Sequence, residues 1–297
     1  MTNHPPLIIL AIGEILWDLL PTGRQLGGAP SNFAYHAAQL GADARLASDV
    51  GDDDLGREIL DRLRGLGLDT SLLEIDAAHP TGTVSVGLEA GQPSYTIHEG
   101  VAWDFLQATP ALLDLARRAD CLYFGTLAQR APASREAIRA VLAAARPDSL
   151  RILDINFRQH YYDQHIVDRS LTAATLLKIN EHELPLVLTL LGLAPDSAPA
   201  SLFARYAQLQ LIALTRGGSG TRLSARDGQT SDHPGFAVKI ADTIGAGDAF
   251  TAALAIGLLR RLPLDRINAN ANGLAAYVCT QRGATPGIPA ELLAQLT

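Results

Sequence analysis

The chain has 297 residues, of which 47% are hydrophobic and 19% charged, a balance that supports a large core and excludes a disordered protein. Its net charge of −7 argues against a general nucleic-acid-binding surface, which needs a basic patch. No run approaches the ~18 apolar residues of a membrane span, and the N-terminus lacks the features of a signal peptide. We therefore predict a soluble, cytoplasmic protein with neither nucleic-acid nor membrane partners.

Short apolar runs alternate with helical patterns along most of the chain. The runs predict buried parallel strands over Leu7–Ile12, Ala44–Val50, Cys121–Phe124, Arg151–Ile155, Leu176–Ile179 and Leu211–Thr215. Amphipathic patterns between them predict helices over Ser31–Leu40, Leu55–Leu66 and Pro132–Ala145. This alternation predicts an α/β fold with a doubly wound, mostly parallel sheet flanked by helices.

One region, Thr81–His98, follows a different pattern. Apolar and polar residues alternate on both sides of a turn at Ala90–Pro93, which predicts a two-stranded hairpin with one solvent-exposed face. The stretch Glu14–Gln25 could supply further strands beside it. We therefore predict one α/β domain over residues 1–297 that carries a small β-sheet lid, formed by approximately residues 14–26 and 81–99.

The stretch Asp242–Phe250 reads DTIGAGDAF. The preceding segment, Phe236–Thr243, is expected to be a strand, and the apolar sequence that follows predicts a buried helix. Glycines at a helix N-terminus allow an anion to approach free backbone N–H groups. A dinucleotide-binding fingerprint would need a third glycine where Phe250 stands, and no Walker P-loop string occurs in the chain.

Asp248 follows these glycines immediately. A carboxylate in the first turn of a helix is favoured by the helix dipole, so an ordinary capping role is one interpretation. The other interpretation is a chemical role. A carboxylate repels a phosphate group, so a carboxylate beside an anion site indicates that it takes part in the reaction. A carboxylate in this position can accept the proton of a hydroxyl group that attacks a phosphoryl group.

A second glycine-rich stretch lies near the N-terminus. Gly27 and Gly28 allow the backbone to approach a ligand, and Asn32 offers both a donor and an acceptor in the following helix. A glycine turn capped by Ser31 or Asn32 is the alternative. Asp18, which follows a strand-like run, could accept hydrogen bonds from substrate hydroxyl groups.

Polar residues also follow three of the predicted strands, where ligands bind in open α/β sheets. Glu183, three residues after Asn180, could hold a hydrated Mg²⁺ ion through its oxygen atoms. The residues in question are Asp154, Asn156 and Arg158 after one strand, Asn180, Glu181 and Glu183 after the next, and Thr215, Gly217, Gly218, Ser219 and Gly220 after the third.

Three motifs resemble those of the ribokinase-like sugar kinases, the PfkB carbohydrate kinase family, and the resemblance spans nearly the whole chain. GGAPSN is similar to the N-terminal signature of that family, DTIGAGD to its C-terminal signature, and NEHE to its N-x-x-E element. The resemblance implies a kinase that uses ATP and Mg²⁺ to phosphorylate a sugar.

The resemblance also implies roles for particular residues. Asp248 would be the base, and Gly245, Ala246 and Gly247 would form the anion hole for the transferred phosphoryl group. The sugar site would comprise Asp18, Gly27, Gly28, Asn32, Asn156, Arg158 and Asp248. ATP would be bordered by Asn180, Thr215, Gly217, Gly218, Ser219, Gly220 and Gly247, with Asn272 near the adenine and Glu183 near the hydrated Mg²⁺.

Many members of this family bind a monovalent cation beside the anion hole. The matching positions for K⁺ are Asp242, Ile244, Val278, Gln281, Gly283 and Gly287, mostly through backbone carbonyl groups. Some relatives use a serine or a similar side chain at the last of these positions, where this chain has Gly287.

The sequence after the paired glycines points to a particular sugar. Ribokinases usually carry a lysine there, whereas Ala29 and Pro30 resemble the fructokinase branch. We therefore predict D-fructose as the substrate, with ribose and 2-keto-3-deoxygluconate as alternatives. A non-catalytic sugar-binding pseudokinase and an NAD-dependent dehydrogenase are the rivals from other classes. Lids in this family often pair between subunits, so we also predict a homodimer through the β lid.

Overall fold

The computed structural model describes residues 6–21, 23–89 and 92–296. Strands and helices alternate through most of this part of the chain, as predicted. The strands are β1 Ile8–Ile12, β2 Leu16–Leu20, β3 Gly23–Gly27, β4 Asp43–Gly51, β5 Leu73–Asp76, β6 Thr83–Glu89, β7 Gln92–Ile97, β8 Cys121–Gly125, β9 Leu150–Asp154, β10 Leu176–Asn180, β11 Leu211–Thr215, β12 Thr221–Ala225 and β13 Thr230–His233.

The helices lie mostly on either side of the larger sheet. They are α1 Ala29–Gln39, α2 Asp54–Gly65, α3 Pro110–Ala116, α4 Pro132–Ala144, α5 Gln164–Ala173, α6 Glu183–Leu190, α7 Ala200–Arg205, α8 Ala246–Leu259, α9 Leu264–Cys279 and α10 Ala290–Leu296. Within the described ranges, no helix combines the length and the apolar character that crossing a membrane requires.

Nine strands form the larger sheet, in the order β13-β12-β11-β10-β9-β8-β1-β4-β5. The strands from β11 to β5 are parallel, whereas β12 and β13 are antiparallel. Alternate residues of β1 face opposite sides: Ile9 packs with residues of α1 and α8, and Leu10 packs with residues of α4 and α5. Both faces of the sheet are therefore covered by helices, and the predicted doubly wound fold is confirmed.

Four strands form the smaller sheet, in the order β3-β2-β6-β7. The pairs β2–β3 and β6–β7 are antiparallel, and β2 pairs with β6 in parallel. The hairpin therefore forms, and its neighbours come from Glu14–Gln25 as expected. Part of the predicted turn is strand instead, since Gln92 and Pro93 belong to β7; Ala90 and Gly91 lie outside the described residues.

One prediction about local structure was wrong. The segment Phe236–Thr243 is not a strand, because β13 ends at His233 and Pro234 cannot donate to a sheet. Gly235 then turns the chain with φ 82° and leaves the alternating side chains of 236–240 exposed.

Candidate active site

A cavity of about 640 Å³ lies between the small sheet and the carboxyl-terminal ends of the central strands of the larger sheet. Its walls come from the small sheet, the start of α1, the segment after β9, and the turn before α8. Every residue of the predicted sugar site lines this cavity: Asp18, Gly27, Gly28, Asn32, Asn156, Arg158 and Asp248. Gly245 and Gly247 of the predicted anion hole line it too.

Asp248 is the acidic residue in the first turn of α8, and it is 8% exposed. The side-chain amide of Asn32 donates a hydrogen bond of 2.8 Å to its Oδ2. Asn32 lies on α1, which packs beside α8, so two helices far apart in sequence bring the two predicted residues together. Asn32 therefore orients the Asp248 carboxylate, and none of the described residues donates a hydrogen bond to its amide oxygen.

The pKa of Asp248 is raised to about 7, primarily by burial and further by the negative charge of Asp154. The hydrogen bond from Asn32 and the positive charges of Lys178 and Arg158 oppose this rise. Near neutral pH the carboxyl group can therefore both accept and release a proton, which is the property a general acid–base group needs.

The turn before α8 depends on Gly245. This residue has φ 78°, and a Cβ added to it would lie 2.5 Å from the carbonyl oxygen of Ala284. Ala246 N–H donates to Thr243 O at 3.3 Å, while the next N–H groups belong to the first turn of α8, where helix geometry offers them no acceptor. These N–H groups and the positive end of the α8 dipole have the geometry and the polarity that suit an anion beside Asp248.

The other pair of glycines makes room for the Asp18 carboxylate and for the backbone carbonyl group of Glu14. A Cβ on Gly27 would lie 2.6 Å from Asp18 Oδ2, and a Cβ on Gly28 would lie 2.5 Å from Glu14 O. Gly28 also has φ 117°, in the region that favours glycine. Asp18 itself is half-buried, and burial raises its pKa against the opposing charge of Arg158. The GGAPSN turn is therefore tightly packed around the strand that carries Asp18.

Glu14 is a cavity residue that the sequence reasoning did not single out. It is 5% exposed, and its Oε2 has no hydrogen-bond partner among the described residues. Burial raises its pKa to about 7, whereas backbone N–H groups of Glu14 and Ala29 and the charge of Arg158 act to lower it. The sequence does contain a signal for this residue, since Glu14 interrupts the apolar run two residues after the end of β1.

Glu183 and Asn180 join the ends of β9 and β10. The two carboxylate oxygens of Glu183 accept hydrogen bonds of 3.0 Å from Phe157 N and Asn180 N. Asn180 Oδ1 in turn caps α6 by accepting from the backbone N–H groups of His182 and Glu183. Each Glu183 oxygen keeps a lone pair, so the residue fits a water-mediated contact with Mg²⁺ better than direct ligation.

The predicted ATP-binding residues lie away from this cavity, apart from Gly247. A Cβ on Gly220 would lie 1.9 Å from His233 O, so this position requires glycine. Asn272 is buried on α9, and its amide is engaged by Asn268 and by Thr221 Oγ1. Thr215 ends β11, and a short helical turn contains Gly217, Gly218 and Ser219.

The loops predicted to hold a monovalent cation are brought together by Asp242. Its Oδ1 accepts a hydrogen bond from Ile244 N at 3.0 Å and its Oδ2 accepts one from Gly283 N at 3.1 Å. The carbonyl groups of Val278 and Gly287 accept hydrogen bonds from Gln281 N and Tyr277 Oη. These residues fit a carbonyl-lined cation site in composition, although part of their acceptor capacity is already used.

Comparisons with known proteins identify the class of enzyme. The family model for pfkB family carbohydrate kinases matches residues 22–291, so the chain belongs to this family. A fructokinase from Klebsiella pneumoniae is 34% identical over 300 residues, which cover 95% of this chain and 96% of that protein. The chain is therefore a carbohydrate kinase, and the family and the enzyme class predicted from the sequence are both confirmed.

Solved structures share the fold across almost the whole chain. A sugar kinase from Pyrococcus horikoshii in complex with ATP is 28% identical with a TM-score of 0.81, covering 97% of this chain and 100% of that one. A fructokinase double mutant from Vibrio cholerae O395, bound to fructose, ADP and a potassium ion, is 27% identical with a TM-score of 0.78 and 98% coverage of both chains.

Proposed function

We propose that this kinase transfers the γ-phosphoryl group of ATP to a primary hydroxyl group of a monosaccharide, and that the monosaccharide is D-fructose. The observation that carries the proposal is the Asp248 carboxylate, buried at the N-terminus of α8 and hydrogen-bonded by Asn32 in the cavity. The Klebsiella pneumoniae relative and the sugar-bound Vibrio cholerae structure support fructose as the substrate.

In the proposed reaction, Asp248 accepts the proton of the sugar hydroxyl as the oxygen attacks phosphorus. The bond from phosphorus to ADP breaks while the N–H groups at the start of α8 hold the phosphoryl oxygens. Asp18 and the free amide oxygen of Asn32 accept hydrogen bonds from other sugar hydroxyls. Catalysis then rests mainly on positioning and electrostatic stabilisation.

The small sheet is the proposed lid of this site. Val84, Tyr95 and Ile97 of this sheet line the cavity, so its closure would exclude water from the reacting groups. Gln159 and Tyr161, in the segment after β9, donate hydrogen bonds to the backbone of β7 at Tyr95 O and Ile97 O. These bonds connect the lid to the loop that carries Asn156 and Arg158.

ATP is proposed to lie over the ends of β10 and β11, beside Gly220. There Asn180 and Thr215 are half-buried, Gly217, Gly218 and Ser219 are exposed, and Gly220 is buried. Mg²⁺, when bound, would neutralise part of the charge of the ATP phosphate groups. Glu183 would contact its hydration shell. The residues Asp242, Ile244, Val278, Gln281, Gly283 and Gly287 would hold K⁺ beside the anion site.

A panel of sugars tests the substrate. Fructose, ribose, 2-keto-3-deoxygluconate, adenosine and tagatose 6-phosphate are each assayed for ADP release with MgATP. We expect fructose to give the highest kcat/KM. A higher value for another sugar would refute fructose and leave the kinase assignment intact.

The Asp248→Asn variant tests the proposed base. The amide keeps the shape of the carboxylate but cannot accept the proton, so turnover should fall by several orders of magnitude while sugar binding is largely retained. Turnover is measured by ADP release and binding by calorimetry. Near-normal turnover would contradict the assignment of Asp248.

A further inference from the structure

Lys178 forms a buried ion pair with Asp154 beneath the proposed reaction site. The two residues are register partners on the parallel strands β10 and β9, and Lys178 Nζ lies 3.0 Å from Asp154 Oδ1. The side chains are 8% and 0% exposed. Tyr123 Oη donates to the other carboxylate oxygen at 3.2 Å. Because burying two charges costs desolvation energy, the pair is weak evidence for a stabilising role and calls for another explanation.

The ammonium group of Lys178 lies against the predicted anion hole. A Cβ added to Gly247 would lie 3.3 Å from Lys178 Nζ, and Lys178 lines the same cavity as Asp248. An ammonium group has three N–H donors. Among the described residues, Asp154 is the one hydrogen-bond acceptor found for Nζ. The remaining donors are therefore available to a ligand at the N-terminus of α8.

The charges around the cavity also require a cation at this position. Three lining residues carry carboxyl groups, namely Glu14, Asp18 and Asp248, and Asp154 adds a fourth carboxyl group beside Lys178. The cationic lining residues are Arg158, which is exposed, and Lys178, which is buried. A phosphoryl group brings further negative charge, so its approach is unfavourable unless a positive charge is near.

Lys178 remains charged in this environment. Burial acts to lower its pKa, but the negative charges of Asp154 and Glu183 outweigh burial and raise the pKa. The sequence also marks the position, because Lys178 and Lys239 are the two lysines in a chain with 24 lysines and arginines. A compact ammonium fits the narrow space beside Gly247, where a planar guanidinium would need more room.

We propose that Lys178 is a catalytic residue whose ammonium group hydrogen-bonds an oxygen of the phosphoryl group during its transfer, and that Asp154 positions it. The inference rests on the proposed function. The sugar oxygen forms a bond to phosphorus, the bond from phosphorus to ADP breaks, and the sugar proton goes to Asp248. Lys178 neither gains nor loses a proton; it offsets the charge of the phosphoryl oxygens together with the N–H groups of α8.

The Lys178→Met variant tests this role. We expect kcat to fall by about 10²–10³-fold, as when one donor is lost from an oxyanion site, while the KM for the sugar changes by less than about threefold. Lys239→Met is the matched control, because it removes the charge of an exposed lysine. Its kcat should equal that of the wild type. A kcat for Lys178→Met within about threefold of the wild type would overturn the proposal.

A double variant separates the catalytic role from a structural one. Lys178→Met leaves the Asp154 carboxylate buried without its partner, and this alone could disturb the site. In Lys178→Met/Asp154→Asn that charge is removed, and the amide oxygen that replaces the carboxylate can still accept from Tyr123. We expect the double variant to fold like the wild type and to keep the low kcat. Recovery of kcat would show that Lys178 only compensates Asp154 and would overturn the proposal.

Ligand binding gives a second readout. In the presence of the sugar, the double variant should bind ADP with aluminium fluoride, a mimic of the phosphoryl group in transfer, about 10²–10³-fold more weakly than the wild type. Its affinity for ADP alone should be unchanged, and equal affinity for the mimic would contradict the role of Lys178. The Lys178 variants are compared with the wild type on the sugar that the wild type phosphorylates best, so a failure of the Lys178 proposal appears only where the wild type is active. A wild type that phosphorylates no sugar of the panel would instead refute the proposed function, and the Lys178 proposal with it.

Discussion

At the scale of single residues, the site combines buried carboxyl groups with few positive charges. Asp248 and Glu14 both have a pKa of about 7, because burial disfavours their charged forms. For the proposed base Asp248, a pKa near neutral pH is favourable, because the carboxylate is then both present in its ionised form and basic enough to accept a proton. The same burial makes the ionised carboxylate a cost to the folded state.

The pH dependence of catalysis follows from the Asp248 pKa. Below pH 7 the carboxyl group is increasingly protonated and cannot accept the sugar proton, so kcat/KM should fall about tenfold per pH unit on the acidic side. The measurement is kcat/KM for the best sugar from pH 5 to 9, with the coupling enzymes verified at each pH. A profile that stays flat down to pH 5 would contradict the assignment.

The stability of the Asp248→Asn variant should depend on pH as well. A carboxyl group whose pKa is raised in the folded state favours folding at low pH, and this contribution is lost as pH rises to about 7. The variant should therefore gain stability relative to the wild type between pH 5 and pH 7.5, by up to about 3 kcal/mol. Urea unfolding at both pH values measures the gain. Asp196→Asn, at an exposed position, is the matched control and should show no such change.

At the scale of elements, two glycines at the start of α8 have different constraints. Gly245 has a left-handed φ and little space, since an added Cβ would lie 2.5 Å from Ala284 O. Gly247 lies within α8, and its Cβ would lie 3.3 Å from Lys178 Nζ. One glycine is therefore required by the backbone, and the other keeps space open beside the cavity.

Alanine substitutions distinguish these two requirements. Gly245→Ala should lower the free energy of unfolding by about 1–3 kcal/mol, because the residue is strained and displaces the loop at Ala284. Gly247→Ala should leave stability unchanged or slightly higher, since alanine favours a helix, yet should lower kcat by narrowing the anion site. Thermal unfolding and kcat are measured for both. Equal effects on stability would contradict this difference between the two positions.

Sequence patterns predicted the parallel strands and α8 well, because buried strands form continuous apolar runs and glycines precede the helix. They failed at the edge of the larger sheet, where β12 and β13 were missed and Phe236–Thr243 was assigned as a strand instead. Edge strands are short and polar, so they leave a weak pattern. Glu14 and Lys178 were also missed, because their importance depends on a cavity formed by distant segments.

At the scale of the whole molecule, β3 and β7 are the edge strands of the small sheet. The edge at β7 is partly covered, since Gln159 and Tyr161 donate hydrogen bonds to its backbone, so β3 is the more accessible edge. Residues 23–25 of β3 are exposed, and Leu19 on the neighbouring strand is 36% exposed on the face away from the cavity. Exposed strand edges pair readily with another chain. We therefore propose that two copies associate through their small sheets.

Sedimentation tests the proposed dimer. The wild type should have twice the chain mass of 31.5 kDa, and Leu19→Glu should shift it towards the monomer by placing a charge in the interface. Ile75→Glu, on the outer strand β5 of the larger sheet and 57% exposed, is the control and should remain dimeric. A monomeric wild type over the whole concentration range would refute the dimer.

The hydrogen bond between Asn32 and Asp248 joins positions 216 residues apart, and it has a consequence for synthesis of the chain on the ribosome. Helix α1 is made early, and its apolar residues Phe33, Ala34 and Ala37 are buried with those of α8, which is made late. Until α8 emerges, the nascent chain exposes this apolar surface and lacks the proposed base of the proposed sugar site. Such a surface is a binding site for chaperones, so the growing chain should depend on them most over this interval.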